Sequence, residues 1–308
     1  MKASVVIILA IAAAITFSAA HANHLPTQAV VTQVVMLGTG TPNADPERSG
    51  PAVAIVRGTN SYLVDAGPGV VRRASAAART GIVALQMPRL RTVFITHLHS
   101  DHTLGLPDLI YSPWVLERTH PLQVYGPPGT KAMVEHLQAA YDADVRNRLD
   151  GLEPANETGY KVNVTEVSHG FVFRDSVMVV RAFEVPHGDW KQAFGYRFES
   201  ADRTIVVSGD TRASDSVITA CNGCDVLVHE VYSSTGYQTR PPEWQRYHAR
   251  AHTSTEQLAA IATRAKPKLL VLYHQLFWGT DDDGLLREMS VYGYRGRVES
   301  GKDLAVYR

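Results

Sequence analysis

Three observations predict an α/β protein. Short β-branched runs recur through both halves of the 308-residue chain, turn clusters rich in Gly, Pro, Asn and Asp separate them, and helical apolar spacing is confined to a few longer stretches. In the first half the strand candidates are 30–37, 52–56, 62–64, 92–96 and 122–125, punctuated by the turns GTGTPN and DAGPG. Residues 129–152 follow the turn GPPGT and repeat apolar positions at helical spacing (Met133, Val134, Leu137, Ala140, Tyr141), so this stretch reads as helix. The second half repeats the theme, with strand candidates at 162–167, 177–183, 194–198, 204–207, 226–229 and 269–273 and a helix at 255–265. No linker, low-complexity tract or repeat interrupts residues 23–308. The expectation is one α/β domain whose two strand-rich halves pack as two sheets covered by helices.

Residues 1–22 stand apart from that domain. Lys2, an apolar run over 5–17 and small residues at Ala20 and Ala22 have the form of a secretory signal peptide, and the run is short for a membrane span. A secreted or periplasmic protein beginning near Asn23 is expected, with no membrane attachment after cleavage. Loss of Lys2 turns 30 basic against 30 acidic residues into 29 against 30. Such a balance makes no electrostatic case for nucleic acid, so no nucleic-acid partner is expected. Cys221 and Cys224 lie in ACNGCD; without a second pair to complete a zinc cage, a local disulfide is the simpler reading for an exported chain. The sequence is compatible with a homo-oligomer.

The densest chemistry lies at 96–105, THLHSDHTLG, directly after the apolar run Val93-Phe94-Ile95. Alternate side chains of an extended segment point the same way, so His97 and His99 can converge as the strand ends, while Asp101 and His102 come from the following turn. Two imidazoles for one cation, and a carboxylate with an imidazole for another, suggest two adjacent ions. Further ligands stand where strands end: His187 in EVPHG, Asp210 in VVSGDT and His274 in LLVLYHQ. A shared carboxylate with histidines from separate strands suits a dinuclear hydrolytic site. Asp210 alone also reads as a turn aspartate, and His120, His136 and His248 read as ordinary histidines. His169, in VSHGF, competes with His187.

The run THLHSDHTLGLPDL resembles the signature of the metallo-β-lactamase superfamily, and the wider chain resembles its ribonuclease Z-like branch. The likeness rests, in the family's order, on LGTGTP at 37–42, LVDAGPG at 63–69, THLHSDH at 96–102, YGPPG at 125–129, HGDWKQAFGYRFE at 187–199, SGDT at 208–211, CDVLVHE at 224–230, HTSTEQLA at 252–259 and LYHQ at 272–275. It implies a four-layer αββα sandwich. It also implies two zinc ions, with manganese or iron as alternatives: His97, His99 and His187 on one, Asp101, His102 and His274 on the other, and Asp210 bridging. By the same resemblance Glu230 and His252 act together, the carboxylate orienting an imidazole that protonates the leaving oxygen. Asp101 is a candidate acceptor for the attacking water's proton.

The resemblance also implies a tRNA-clamping arm between AFGYR and SGDT, where this chain has room only for a hairpin turn. Exported members without that arm resemble the branch containing metal-dependent arylsulfatases. The expected activity is therefore hydrolysis of a small anionic ester, an aryl or alkyl sulfate or a phosphodiester. Residues 237–250, YQTRPPEWQRYHAR, are a candidate substrate loop with Trp244 as aromatic wall and Arg240, Arg246 and Arg250 as anion partners. The alternatives are a ribonuclease Z-type endonuclease, a lactone or β-lactam hydrolase, or a noncatalytic zinc-binding module. Glu230 and His252 speak against the last, since a zinc holder has no use for an acid pair.

Overall fold

Period-two alternation divides the side chains of the central strands between two different cores, and this sets the layers. The computed structural model describes residues 30–308, so the leader-like 1–22 lies outside the described residues. Residues Val31–Arg308 form one compact unit. The strands of its first half are β1 (Gln33–Gly38), β2 (Ala52–Arg57), β3 (Asn60–Val64), β4 (Thr92–Phe94), β5 (Leu122–Gly126) and β6 (Val162–Glu166). Those of the second half are β7 (Gly170–Arg174), β8 (Val179–Glu184), β9 (Phe194–Glu199), β10 (Thr204–Val207), β11 (Val226–Tyr232), β12 (Leu269–Leu276) and β13 (Val298–Ser300), and β14 (Val306–Tyr307) returns to pair with β1. Among the described residues they form two seven-stranded sheets, ordered β14-β1-β2-β3-β4-β5-β6 and β13-β12-β11-β10-β9-β8-β7.

In β1, Val34 and Met36 enter the layer between the sheets, whereas Val35 and Leu37 face the helices outside. In the second sheet Ile205, Val207, Val226 and Val228 face inward, and Val206 and Leu227 face the outer helices. Three apolar layers separate four layers of secondary structure, the expected αββα sandwich. Strands β3 to β6 run parallel, as do β10 to β13, so their C-terminal ends open on one edge of the sandwich. In open α/β sheets such an edge is where ligands bind.

The helix expected over 129–152 is two, Thr130–Ala140 and Asp142–Asp150, interrupted at Tyr141, whose ring packs on Tyr111. The substrate loop expected over 237–250 is largely the helix Pro242–Ala251, with proline at its first position, where a missing N–H costs nothing. The Cys221–Cys224 disulfide closes a turn through Asn222 and Gly223, both at positive φ. Among the described residues no helix is long and apolar enough to cross a membrane.

One internal charge holds the helical flank of the first sheet. Pro113 lies inside the helix Leu106–Val115 and cannot donate to the Leu109 carbonyl four residues back. Arg118, fully buried, donates to that carbonyl at 2.8 Å and to Ile110, Leu90 and Gly159 carbonyls at 2.6, 3.1 and 2.8 Å. Leu90 leads into β4, so the same side chain fixes the approach to the histidine run. Arg118→Met would leave these carbonyls without donors and is expected to cost about 3 kcal/mol of unfolding free energy, measured by denaturant titration.

Candidate metal centre and its cavity

The histidine run follows β4, and its ring nitrogens are oriented from behind by one carboxylate. Asp65, at the end of β3, is buried at φ 62°, a conformation few residues other than glycine adopt. It accepts from the Thr96 N–H at 2.8 Å, from the Thr96 hydroxyl at 2.9 Å and from His102 Nδ1 at 2.8 Å. The Thr96 oxygen, its proton committed to Asp65, accepts from His97 Nδ1 at 3.0 Å. His97 and His102 therefore both turn Nε2 inward. His187 does the same, because its Nδ1 donates to the Ala251 carbonyl at 2.7 Å. On His99 the arrangement is reversed: Trp190 donates to Nε2 at 2.8 Å, and Nδ1 faces the cluster.

Three imidazole nitrogens consequently meet. His99 Nδ1 lies 2.9 Å from His97 Nε2 and 3.1 Å from His187 Nε2. Beside them, His274 Nε2 lies 3.3 Å from Asp101 Oδ2 and 3.4 Å from Asp210 Oδ2, and His102 Nε2 lies 3.5 Å from each of those oxygens. The side chain of His274 reaches this point through a bulge. β11 and β12 pair Glu230 with Tyr273 but Val231 with Gln275, leaving His274 unmatched at φ 46°. Asp210 is placed by Gly209, at φ 63°, where a Cβ would stand 2.7 Å from the Phe194 carbonyl.

The donor set fits divalent cations. Buried His102 Nε2 and Asp210 Oδ1 have no hydrogen-bond partner; His102 belongs to two groups that could hold a metal, with His97 and Asp210 and with Asp101 and His274, Asp210 also to one with His187 and His252, and His97, His99 and His187 form another. Burial and the neighbouring His102 hold His97 well below the usual imidazole range, and burial first, then each other's charge or that of nearby groups, brings His99 and His187 to about 4. Neutral imidazoles are the form that binds metal. Burial would also lower His102, but Asp210 and Asp65 outweigh it and hold it above that range.

Glu230 and His252 stand at the edge of this cluster. Glu230 Oε1 accepts from the Thr211 and Thr253 N–H groups, each at 3.1 Å, and meets His252 Nδ1 at 3.2 Å. Burial, then the Asp210 carboxylate, pushes Glu230 up, while burial holds His252 down to about 4. With Nδ1 turned to Glu230, Nε2 is left for a group in the cavity that His252 lines.

That cavity, about 630 Å³, joins His99, Asp101, Asp210 and His274 to a wall of Arg240, Trp244, Tyr247, His248 and Trp278. Of the four expected substrate residues, Arg240 and Trp244 line it and two do not. Arg246 is exposed away from it, and Arg250 pairs with Asp189 at the surface at 3.1 Å. Helical phase is the reason: Glu243, Trp244, Tyr247 and His248 share the helix face that lines the cavity, and 246 and 250 face solvent. His248 reads as an ordinary histidine in sequence, yet it lines the wall; His169 is exposed at the start of β7, and His187 is the one in the cluster. Sequence reasoning missed Asp65, Trp190 and Trp278. LVDAGPG and HGDW were visible signals for the first two, while nothing local marks Trp278.

Residues 60–275 match the family described as β-lactamase superfamily domain. A protein named Ribonuclease Z from Mycobacterium bovis (strain BCG / Pasteur 1173P2) is 32% identical over 276 residues, covering 88% of this chain and 96% of the relative. Human tRNase Z, short form, superposes with TM-score 0.66 at 22% identity over 90% of this chain and 98% of its own. The metallo-β-lactamase fold protein YhfI from Bacillus subtilis gives TM-score 0.66 at 19% identity over 90% and 100%. The expectation of no nucleic-acid partner is corrected by the ribonuclease Z relatives. Net charge describes the whole surface and does not exclude a local grip. The short connection does not outweigh these relatives either: β9 and β10 join directly through 200–203, yet the mycobacterial relative is matched over 96% of its length. The chain belongs to the metallo-β-lactamase superfamily, as a metal-dependent hydrolase with ribonuclease Z relatives.

Proposed function

We propose that this protein is a phosphodiesterase of the ribonuclease Z type, cleaving an RNA phosphodiester with water. The observation that carries the reading is the Glu230–His252 pair set beside a histidine and aspartate cluster, in a chain 32% identical to a ribonuclease Z along almost its whole length. His97, His99 and His187 would hold one cation, Asp101, His102 and His274 the second, and Asp210 both. Two zinc ions, or manganese or iron, would supply activated water at neutral pH and neutralise the phosphate oxygens.

The chain's own groups manage the protons. Asp101 takes the proton of the attacking water. As the phosphorus gains that oxygen and the bond to the leaving oxygen breaks, His252 Nε2 delivers a proton to the leaving group, and Glu230 stabilises the charged imidazole that precedes transfer. The aromatic wall favours a second reading, an aryl ester of phosphate or sulfate.

Metal-loaded protein starting at Asn23 tests both readings, assayed on precursor tRNA with a 3′ trailer, methyl 4-nitrophenyl phosphate and an aryl sulfate. Cleavage of the RNA and of the phosphodiester is expected. Turnover of methyl 4-nitrophenyl phosphate or of the sulfate with the RNA uncut would replace the first reading by the second. Export belongs to the proposal, supported by the form of residues 1–22 and the Cys221–Cys224 disulfide.

A further inference from the structure

The cavity beside the cluster has a wall that hydrolysis itself does not need. Trp244 and Tyr247 stand at its lip, 48% and 40% exposed, although large aromatic side chains usually bury more of their surface. A series of rings leads inward from Trp244: it stacks on His248 at 5.7 Å and 26°, His248 lies 5.3 Å from His252, and His252 stacks on His274 at 5.7 Å and 14°. Deeper in the wall the Arg240 guanidinium lies 5.5 Å over the Trp278 ring. Arg240 is the single lysine or arginine among the lining residues, and its buried Nε has no hydrogen-bond partner. Among the described residues no carboxylate forms an ion pair with it.

An arginine anchored on an aromatic face, unpaired and turned to a cavity, is suited to an anion that arrives with the ligand. An exposed indole on the same wall is suited to a planar ring. We propose that this wall is a nucleotide subsite: the base flanking the scissile phosphate stacks on Trp244, and the next phosphate pairs with Arg240. The inference rests on the phosphodiesterase reading and assigns Trp244 and Arg240 as the residues that seat the nucleotide next to the cleaved bond. It also accounts for RNA binding by a chain with 29 basic residues against 30 acidic after loss of Lys2, since stacking supplies affinity without a basic track.

The test uses metal-loaded protein with three ligands: a short oligoribonucleotide, the same oligomer abasic at the flanking position, and methyl 4-nitrophenyl phosphate. Trp244→Ala is expected to lower kcat/KM on the intact oligomer roughly tenfold or more beyond its effect on the other two, mainly through KM. Arg240→Gln should lower the oligomer's kcat/KM more than that of the small ester. With few phosphates gripped, raising salt from roughly 50 to roughly 200 mM should weaken oligomer binding less than about tenfold. Equal losses on all three ligands would assign Trp244 a structural role and overturn the subsite. Quenching of tryptophan fluorescence by a 2′-O-methyl oligomer separates binding from catalysis. Quenching that Trp244→Ala abolishes, with no RNA cleavage by the parent, would keep the subsite and remove the phosphodiesterase reading. Absence of oligomer binding in the parent, with precursor tRNA and methyl 4-nitrophenyl phosphate both still cleaved, would overturn the subsite and keep that reading.

Discussion

Asp210→Ala is expected to retain less than about half of the parent's bound metal and to lose at least about a hundredfold in turnover, a larger metal loss than His97→Ala or His274→Ala produces. Geometry supports the ranking. The Asp210 oxygen Oδ2 lies within 3.5 Å of His102 Nε2 and His274 Nε2, and the residue also shares potential metal-holding groups with His97 and His187. It is the carboxylate that belongs to both halves of the cluster, so its loss affects two cations where one histidine affects one. Burial opposes the Asp210 charge, but His274 and His102 outweigh it and hold the carboxyl well below its usual range. Metal counting on purified variants is the direct measurement. Trp190 offers a second: a cation held by His99 through Nδ1 would leave the ring's proton on Nε2, opposite the indole N–H that donates there. Zinc should therefore alter tryptophan emission in the parent and much less in Asp210→Ala. Full metal content in that variant would refute the bridging assignment.

The cluster was legible in sequence because its residues sit where local pattern is strongest. His97, His99, Asp101 and His102 follow one strand within six positions, and Asp210 and His274 follow or end runs of apolar residues that can only be buried strands. The layers were legible for the same reason, since alternation in β1, β10 and β11 specifies two faces before any partner is known. What escaped depends on phase or on distance. Sequence assigns Arg246 and Arg250 to the substrate because 237–250 reads as a loop, in which every arginine is equivalent; as a helix it admits only one face. His248 and Trp278 meet at 4.5 Å from different parts of the chain, a contact without local signature. Asp65 was hidden in a turn motif, where aspartate needs no functional explanation. The five-residue β7 carries partly exposed side chains and offers too little alternation to be recognised.

The Glu230–His252 pair carries the last expectation, and there the structure sharpens what must be measured. Glu230→Gln and His252→Ala should each lower kcat about a hundredfold to ten-thousandfold, with metal content unchanged, and the double variant should fall little further than the worse single one. The amide oxygen introduced by Glu230→Gln can still accept from the Thr211 and Thr253 N–H groups, so the substitution removes the ionisable carboxyl and leaves the local hydrogen bonding available. The competing role is real in geometry: His252 shares one potential metal-holding group with His187 and Asp210 and another with Glu230 and His274. A ligand and a proton donor make opposite demands on the ring, because a ligand offers a lone pair to the cation and a donor must keep its proton for the leaving oxygen. Metal content separates them where activity alone cannot, since both roles predict a slow enzyme. A leaving-group series gives the independent check: His252→Ala should lose most on a poor alkoxide and least on 4-nitrophenolate, which departs without a proton. Loss of zinc in His252→Ala, or equal losses across that series, would move His252 from the proton to the metal.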